Sequence, residues 1–436
     1  MRCLTLEYGA PGSPLKQGIS HVHQLLLKNI SQLVTVGTGG DRVKAGGAQR
    51  ELGVMENASV LIENGVFRWI GTQGDAPPGL KEDITVIDAS GKIALPGFVD
   101  SHTHLVFAGS REYEFAMRAG GKTYQQIAEQ GGGILSTVHA TRQATKRDLK
   151  RLAQGRLDAM LQQGTTTVEI KSGYGLDPDS EVKMLECIHE LSEEQYSTVV
   201  ATFLGAHAFP PEFRDSRDSY VDLVCDRMLP YVAKRRLAQF CDVFCESGYF
   251  SVDQSRRILL RAHELGIKLK VHADELAASG GSVLAAELRA ASADHLEHID
   301  SDGIALLKNA GTVATLLPGV SFFLNHGYAP ARKLIDAGVP VALASDFNPG
   351  SCMSFSMPLM MTIACTHMGM TPEEAISAST INGAAALDLS DNYGSIEIGK
   401  KADIVLYDVP NYRYLIYHFG TNHVSLIIKH GVILEF

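Results

Sequence analysis

PGFVDSHTHLVFAG, residues 96–109, is the stretch on which the reading of the whole chain turns. Its apolar and β-branched residues predict a strand over Val99–Leu105, and alternate residues of a strand point the same way. Asp100, His102 and His104 are therefore expected on one face. Two imidazoles about 6–7 Å apart along a strand can chelate one metal ion. The apolar lead-in (Leu95, Phe98, Val99) and the loop that follows place the pair at the C-terminal end of a buried strand. In a (β/α) barrel the catalytic groups gather at that end.

Working outward, the middle of the chain supplies eight such strands, expected near 97–104, 164–171, 198–206, 241–246, 267–272, 294–298, 311–317 and 339–345. Amphipathic helical stretches separate most of them, as in SEVKMLECIHELSEEQ and QSRRILLRAHELG. Eight alternating β and α units predict an α/β fold, a (β/α)8 TIM barrel. Short strands with turn signals, among them Asn64-Gly65, precede the barrel, and SIEIGKKADIVLYDV and VSLIIKHGVILEF follow it. The two sets predict a small β-sandwich-like domain built from both chain ends. The expected divisions are 1–95 (with 1–20 flexible), 96–393 for the barrel, and 394–436. Gly39–Gly53 reads as a flexible glycine-rich loop. The first barrel connection, 107–163, is long, and the glycines of its QGGGILSTV segment suit a lid or a pocket wall.

Composition sets bounds on function. The chain has 436 residues, 45% hydrophobic and 20% charged, which are globular values that permit a large core. A net charge of −10 without a basic cluster argues against a nucleic-acid partner. An acidic protein handling an anionic small molecule needs a local Arg or Lys in its pocket. Seven cysteines form no CxxC pair, the start lacks a secretory h-region, and no apolar run approaches a membrane span. A cytoplasmic location and no membrane partner are expected.

Polar residues recur where the expected strands end. His102 and His104 close the first, His207 the third, Glu246 the fourth, His272 the fifth and Asp346 the eighth, while His295 sits in the sixth. Singly each could be a buried, hydrogen-bonded residue. HVH at 21–23 shows how cheaply the HxH pattern arises, and it lies where no partner ligands exist. Jointly they bring three histidines and an aspartate to one barrel mouth. Neutral imidazoles and one carboxylate with an open position make a catalytic zinc or iron site. Such a site acidifies its water and serves attack on an amide, ring-amide or amidine carbon.

The same residues resemble the amidohydrolase superfamily. The surrounding strings are closer still to one member family, the imidazolonepropionases of histidine degradation. The strings are LPGFVDSHTHLVFAGSRE, YQQIAEQGGGILSTV, GTTTVEIKSGYGL, TFLGAHAFP, VHADEL, DHLEH and SDFNPGSC, with ADIVLYD near the end. The resemblance implies His102, His104, His272 and Asp346 as ligands of one metal ion per subunit. It also implies substrate contacts from Arg111, Tyr174, His207, Glu275, Asn348, Gly350 and Ser351, with His295 beside the chemistry. The implied reaction opens the ring amide of 4-imidazolone-5-propanoate to give N-formimidoyl-L-glutamate. Arg111 can grip a carboxylate with two parallel hydrogen bonds; the alternative is an ion pair with Glu112 or Glu114. Asp346 and Glu275 both qualify to carry the proton, beside a catalytic His295. Strand four ends in Glu246 rather than a lysine, which argues against a carbamate-bridged metal pair; Lys171 is better read as paired with Glu169. Superfamily members are commonly homodimers, and that is the expected state. A deaminase-like amidohydrolase is the second reading, and a non-catalytic member of the fold the third; Arg111 and the intact ligand set argue against them.

Overall fold

The structure, a computed structural model, describes residues 2–3 (backbone only), 23–72, 74–75, 77–122, 126 and 132–434. The flexible stretch expected within 1–20 falls outside this set, apart from Arg2–Cys3. So do His21 of the HVH pattern and the first residues of the QGGGILSTV loop; His23 is exposed.

Eight strands run parallel in sequence order: β7 (Phe98–Asp100), β8 (Thr165–Lys171), β9 (Thr198–Ala206), β10 (Phe240–Cys245), β11 (Lys268–Ala273), β12 (Ser292–His295), β13 (Val313–Leu316) and β14 (Val341–Leu343). Every predicted barrel strand is present. Along them the side chains sort with period two. Val168, Ile170, Val243, Leu269, Val271 and Ala293 join the apolar layer under the helices. Glu169, Lys171, Asp242, Lys270 and Asp294 alternate with them and are fully buried in the barrel interior.

The first strand is shorter than predicted. It ends at Asp100, because the Asp100 carboxylate accepts from Ser345 N (3.0 Å) and Ser345 Oγ (2.5 Å) in place of ladder bonds. Asp100 is thus a bracket between the first and last barrel segments, and it meets the histidines only through the His102 backbone N–H. Beyond it, a Thr103–Phe347 bridge closes the ring, with Asp346 N donating to the His102 carbonyl (3.0 Å) and His104 N to the Phe347 carbonyl (3.0 Å).

Nine further strands form one mixed sheet from both chain ends: β1 (Arg2–Cys3), β2 (Gln24–Val34), β3 (Val54–Glu63), β4 (Val66–Thr72), β5 (Thr85–Asp88), β6 (Ile93–Pro96), β15 (Ile404–Tyr407), β16 (Val424–Lys429) and β17 (Val432–Leu434). Asn64 and Gly65 both take positive φ between β3 and β4, as the hairpin signal requires. Leu25, Leu27, Phe67, Ile404 and Ile428 share a core of their own. The Gly39–Gly53 stretch departs from the expected flexible loop. It carries a short 3-10 turn, Gly46–Arg50, and docks on the barrel. Buried Gln49 donates to the Val341 carbonyl (3.1 Å), and Lys44 N donates to Asn382 Oδ1 (2.8 Å).

Candidate active site

The histidines of HTH project from the closure seam into the barrel mouth. His102 Nε2 and His104 Nε2 lie 3.5 and 3.3 Å from Asp346 Oδ1. His272 follows Lys270 on the inward face of β11, and its ring centre is 4.5 Å from that of His102. Ligating atoms of His102, His104 and His272 all lie within 4.8 Å of one another, and a second such group joins His102 and Asp346 to His295. The four ligands expected from the sequence therefore converge, with His295 beside them.

These atoms suit a metal ion. His102 Nε2, His272 Nε2 and Asp346 Oδ1 are buried and, among the described residues, have no hydrogen-bond partner. Polar atoms left bare in an interior cost free energy unless something binds them. Burial also pushes the pKa of His102, His104 and His207 well below the usual imidazole range, with neighbouring positive groups adding to it. The rings stay neutral, which is the ligating form.

Beneath them lies a charged floor. His102 Nδ1 is 2.6 Å from Asp294 Oδ2, and His272 Nδ1 is 2.9 Å from Asp242 Oδ2. Each carboxylate thus sets one imidazole's orientation and tautomer, turning Nε2 towards the mouth. Lys171 links the two acids at 2.8 Å (Asp242) and 3.8 Å (Asp294), and it also pairs with Glu169 at 2.7 Å. Burial opposes the Lys171 charge, but Asp242, Glu169 and Asp294 outweigh it and hold its pKa above the ordinary value. The expected Lys171–Glu169 pair is present. Lys270 lies 3.5 Å from Asp294. Two ammonium groups against three carboxylates leave the floor negative on balance, which favours a cation above it. Asp242, Asp294 and Lys270 were missed in the sequence. The signal was there, as single charges on the inward phase of apolar strands.

The substrate-side residues line a cavity of about 580 Å³ over this centre. Tyr174 is held by the KSGYGL turn, where Glu181 accepts from Gly175 N (2.8 Å) and Leu176 N (2.9 Å). Gly175 has no room for a side chain, since a Cβ would sit 2.5 Å from Glu181 N. His207 donates from Nδ1 to the Gly173 carbonyl (3.0 Å) and stacks on His104 at 4.9 Å. Glu275 faces His295, with Oε2 3.6 Å from Nε2. Burial, then Glu297 and Asp346, push the Glu275 carboxyl well up. Behind His295, Glu297 Oε2 stands 3.9 Å from Nδ1, and burial pushes its pKa up to about 8. His295 is held neutral by burial, its pKa down at about 3. His295 and Leu296 both take positive φ, and non-glycine residues held there carry backbone strain of the kind found at functional sites.

Asn348, Gly350 and Ser351 form the far wall. The Asn348 amide is fully engaged, donating to the Asp346 carbonyl (2.8 Å) and Ser351 Oγ (2.6 Å) and accepting from the backbone N–H of Gly350 and Ser351 (both 2.8 Å). It shapes the loop directly after Asp346. Arg111 lines the same cavity, but its Nε and Nη2 edge already grips Glu114 Oε2 at 2.9 and 2.7 Å. A Cβ on Gly350 would meet Arg111 Nη1 at 2.2 Å, so the guanidinium needs a glycine there. Glu246 stands apart from the centre, accepting from Leu276 N (2.8 Å) and Ser247 N (2.7 Å) to pin the loop after β11.

A His and Asp cluster able to hold a metal ion at the C-terminal mouth of a parallel barrel defines a metal-dependent hydrolase, and the chain belongs to the amidohydrolase family, whose profile matches residues 93–434. Its relatives include the imidazolonepropionase of Alkaliphilus oremlandii (strain OhILAs), 48% identical over 94% of this chain and 97% of the relative. That of Shouchella clausii (strain KSM-K16) is 49% identical over 94% and 92%. Among solved structures, a triazine hydrolase variant superposes with a TM-score of 0.72 at 18% identity, over 94% of both chains. A 5-methylcytosine deaminase from Klebsiella pneumoniae gives 0.70 at 19%, over 94% of this chain and 97% of its own. At such identities these two speak for the fold alone. No helix among the described residues is long and apolar enough to cross a membrane.

Proposed function

We propose that the protein is an imidazolonepropionase, hydrolysing the ring amide of 4-imidazolone-5-propanoate to N-formimidoyl-L-glutamate in histidine degradation. Relatives of that name, at 48–49% identity across nearly the whole chain, carry the reading. The ligand set, the Arg-lined cavity and the carboxyl groups beside His295 support it.

His102, His104, His272 and Asp346 would hold one divalent ion, zinc or iron. Bound there, it supplies a water molecule acidified towards neutral pH and a positive charge at the carbonyl. The chain's own residues do the rest. Tyr174, His207 and the Asn348–Ser351 wall orient the ring over the ligands. His295, neutral and fixed between Glu275 and Glu297, is placed to stabilise the oxyanion. Glu275 lines the cavity without contacting the ligands, and its raised pKa suits a group that takes a proton from water and returns it to the departing ring nitrogen. Asp346 Oδ1 would be taken up as a ligand beside the two histidines, which leaves Glu275 as the better proton carrier. A cytoplasmic homodimer completes the reading; the six cysteines among the described residues, buried or half-buried with free thiols, suit a reducing compartment.

The test is direct. Metal-replete protein is mixed with 4-imidazolone-5-propanoate, and its ultraviolet absorbance is followed while N-formimidoyl-L-glutamate is assayed. Loss of absorbance with matching product is expected. No turnover by the metal-replete protein would reject the assignment.

A further inference from the structure

The mouth of the cavity holds a second guanidinium that the sequence did not single out. Arg118 lies near the end of the helix Glu112–Ala119, a helix without a single buried residue, yet its side chain lines the cavity. Its Nη2 reaches the Gly350 carbonyl at 3.4 Å, and its guanidinium carbon sits 5.0 Å from the Phe323 ring centre. Arg118 and Arg111 therefore flank the same glycine.

The two differ in how their charge is spent. Arg111 offers its forked edge to Glu114, and Glu114 is itself fastened by Gly133 N at 2.9 Å. That pair is neutral as a unit, and only Nη1 of Arg111 remains turned to Gly350. Arg118 makes no ion pair within 4 Å among the described residues, and Glu114 acts on it only through space. Its one hydrogen bond is long, and its ring contact leaves the N–H edges open. Partial burial and the nearby Arg111 charge lower its pKa, and the Glu114 carboxylate, already gripped by Arg111, offsets them only in part.

We propose that Arg118 is a specificity-determining residue that binds the anionic tail of the substrate, adding to the cavity mouth a guanidinium whose fork no carboxylate holds among the described residues. The inference rests on the imidazolone-propanoate reading. An anion entering beside Gly350 meets Arg118 first as an unpartnered charge, and it shares Arg111 with Glu114. A guanidinium resting against an aromatic ring and a backbone carbonyl loses less freedom when it meets a carboxylate than one in open solvent. An uncharged tail would gain nothing from it.

The experiment uses the metal-replete protein with an unreactive pair of probes, 3-(imidazol-4-yl)propanoate and its amide, measured by calorimetry. Steady-state turnover of the substrate runs in parallel. The wild type should bind the acid about tenfold or more tightly than the amide, the worth of one charge-assisted contact. Arg118→Met should erase most of that preference while leaving the affinity for the amide unchanged. It should raise KM for the substrate about tenfold, with kcat falling far less. Arg118→Lys keeps the charge without the fork and should fall between the two, which guards against a folding defect. Retention of the full acid preference by Arg118→Met would overturn the proposal, as would a wild type that does not distinguish acid from amide. A wild type that prefers the acid yet turns over no substrate would sink the catalytic reading and leave this one standing.

Discussion

Asp294→Asn separates what the charged floor does for the metal from what it does for the fold. The wild-type carboxylate lies 2.6 Å from His102 Nδ1, 3.5 Å from Lys270 and 3.8 Å from Lys171, and it accepts from Ser292 Oγ at 2.5 Å. The amide keeps the shape and removes the charge. Lys171 retains Glu169 and Asp242, but Lys270 is left with the Ser101 carbonyl at 3.1 Å. Stripping one partner from a buried pair costs about 3–5 kcal/mol, and the remaining amide oxygen argues for the lower end, about 3 kcal/mol. The His102 ring also loses its charged acceptor, and outer contacts of this kind are worth about 10–100-fold in metal affinity, about 1.4–2.8 kcal/mol. Competition with a chromogenic chelator reads the affinity, and thermal melting of the metal-free protein reads the fold. The double variant Lys270→Met, Asp294→Asn removes the stranded ammonium, so it should recover most of the stability and none of the affinity. An affinity for Asp294→Asn within about twofold of wild type would refute the argument that the floor orients the ligands.

Chelation should abolish activity and lower the melting temperature, with both restored by zinc or ferrous ion; unchanged melting on metal removal would contradict the bare buried Nε2 atoms. Gly350→Ala would press a methyl group on Arg111 Nη1, 2.2 Å from the new Cβ, and the flexible guanidinium should yield. KM should then rise about tenfold with little change in melting, and an unchanged KM would show that Arg111 need not lie against Gly350. Glu297 gives a pH dependence in the metal-free protein. Its carboxyl ionises near 4.5 when unfolded and at about 8 when folded, so the folded chain holds the extra proton between these values. Stability from this group is full below the lower value and is lost as pH rises to the upper one, by at most about 1.4 kcal/mol per pH unit. Urea unfolding of Glu297→Gln should show a flatter decline over that window, and an identical slope would exclude Glu297 as its source.

Much of this architecture was legible in the chain itself. Strand ends marked by His102, His104, His272 and Asp346 announced both the barrel and its centre, because a polar residue after an apolar run is conspicuous. Two things hid. Asp100 sits in phase with the histidines, so alternation alone assigned it to their face; only the seam, a contact with the distant Ser345, reveals its use. Arg111 was read as a free clamp or as a partner of Glu112 or Glu114. The structure shows both halves at once, since a residue can line a cavity while its fork is taken by a neighbour one helical turn away. Arg118 escaped because a basic residue on an exposed helix is indistinguishable from solvated surface until its Gly350 neighbour is known. The docking of Gly39–Gly53 was invisible for the same reason, since Gln49 and Lys44 lie far in sequence from Val341 and Asn382 and meet them only after folding.

His102 and Asp346 come from the two ends of the barrel's chain path, yet Asp346 N bonds the His102 carbonyl at 3.0 Å. Whatever cation the two side chains share is therefore a rivet across the last gap to close when the ring forms. Loading should therefore tighten a seam that the backbone already closes, and a chain made where metal is scarce should hold that seam less firmly than the rest of the ring. The amides of His104 and Asp346, rather than any residue of the core, should be the first to exchange with solvent in such a chain.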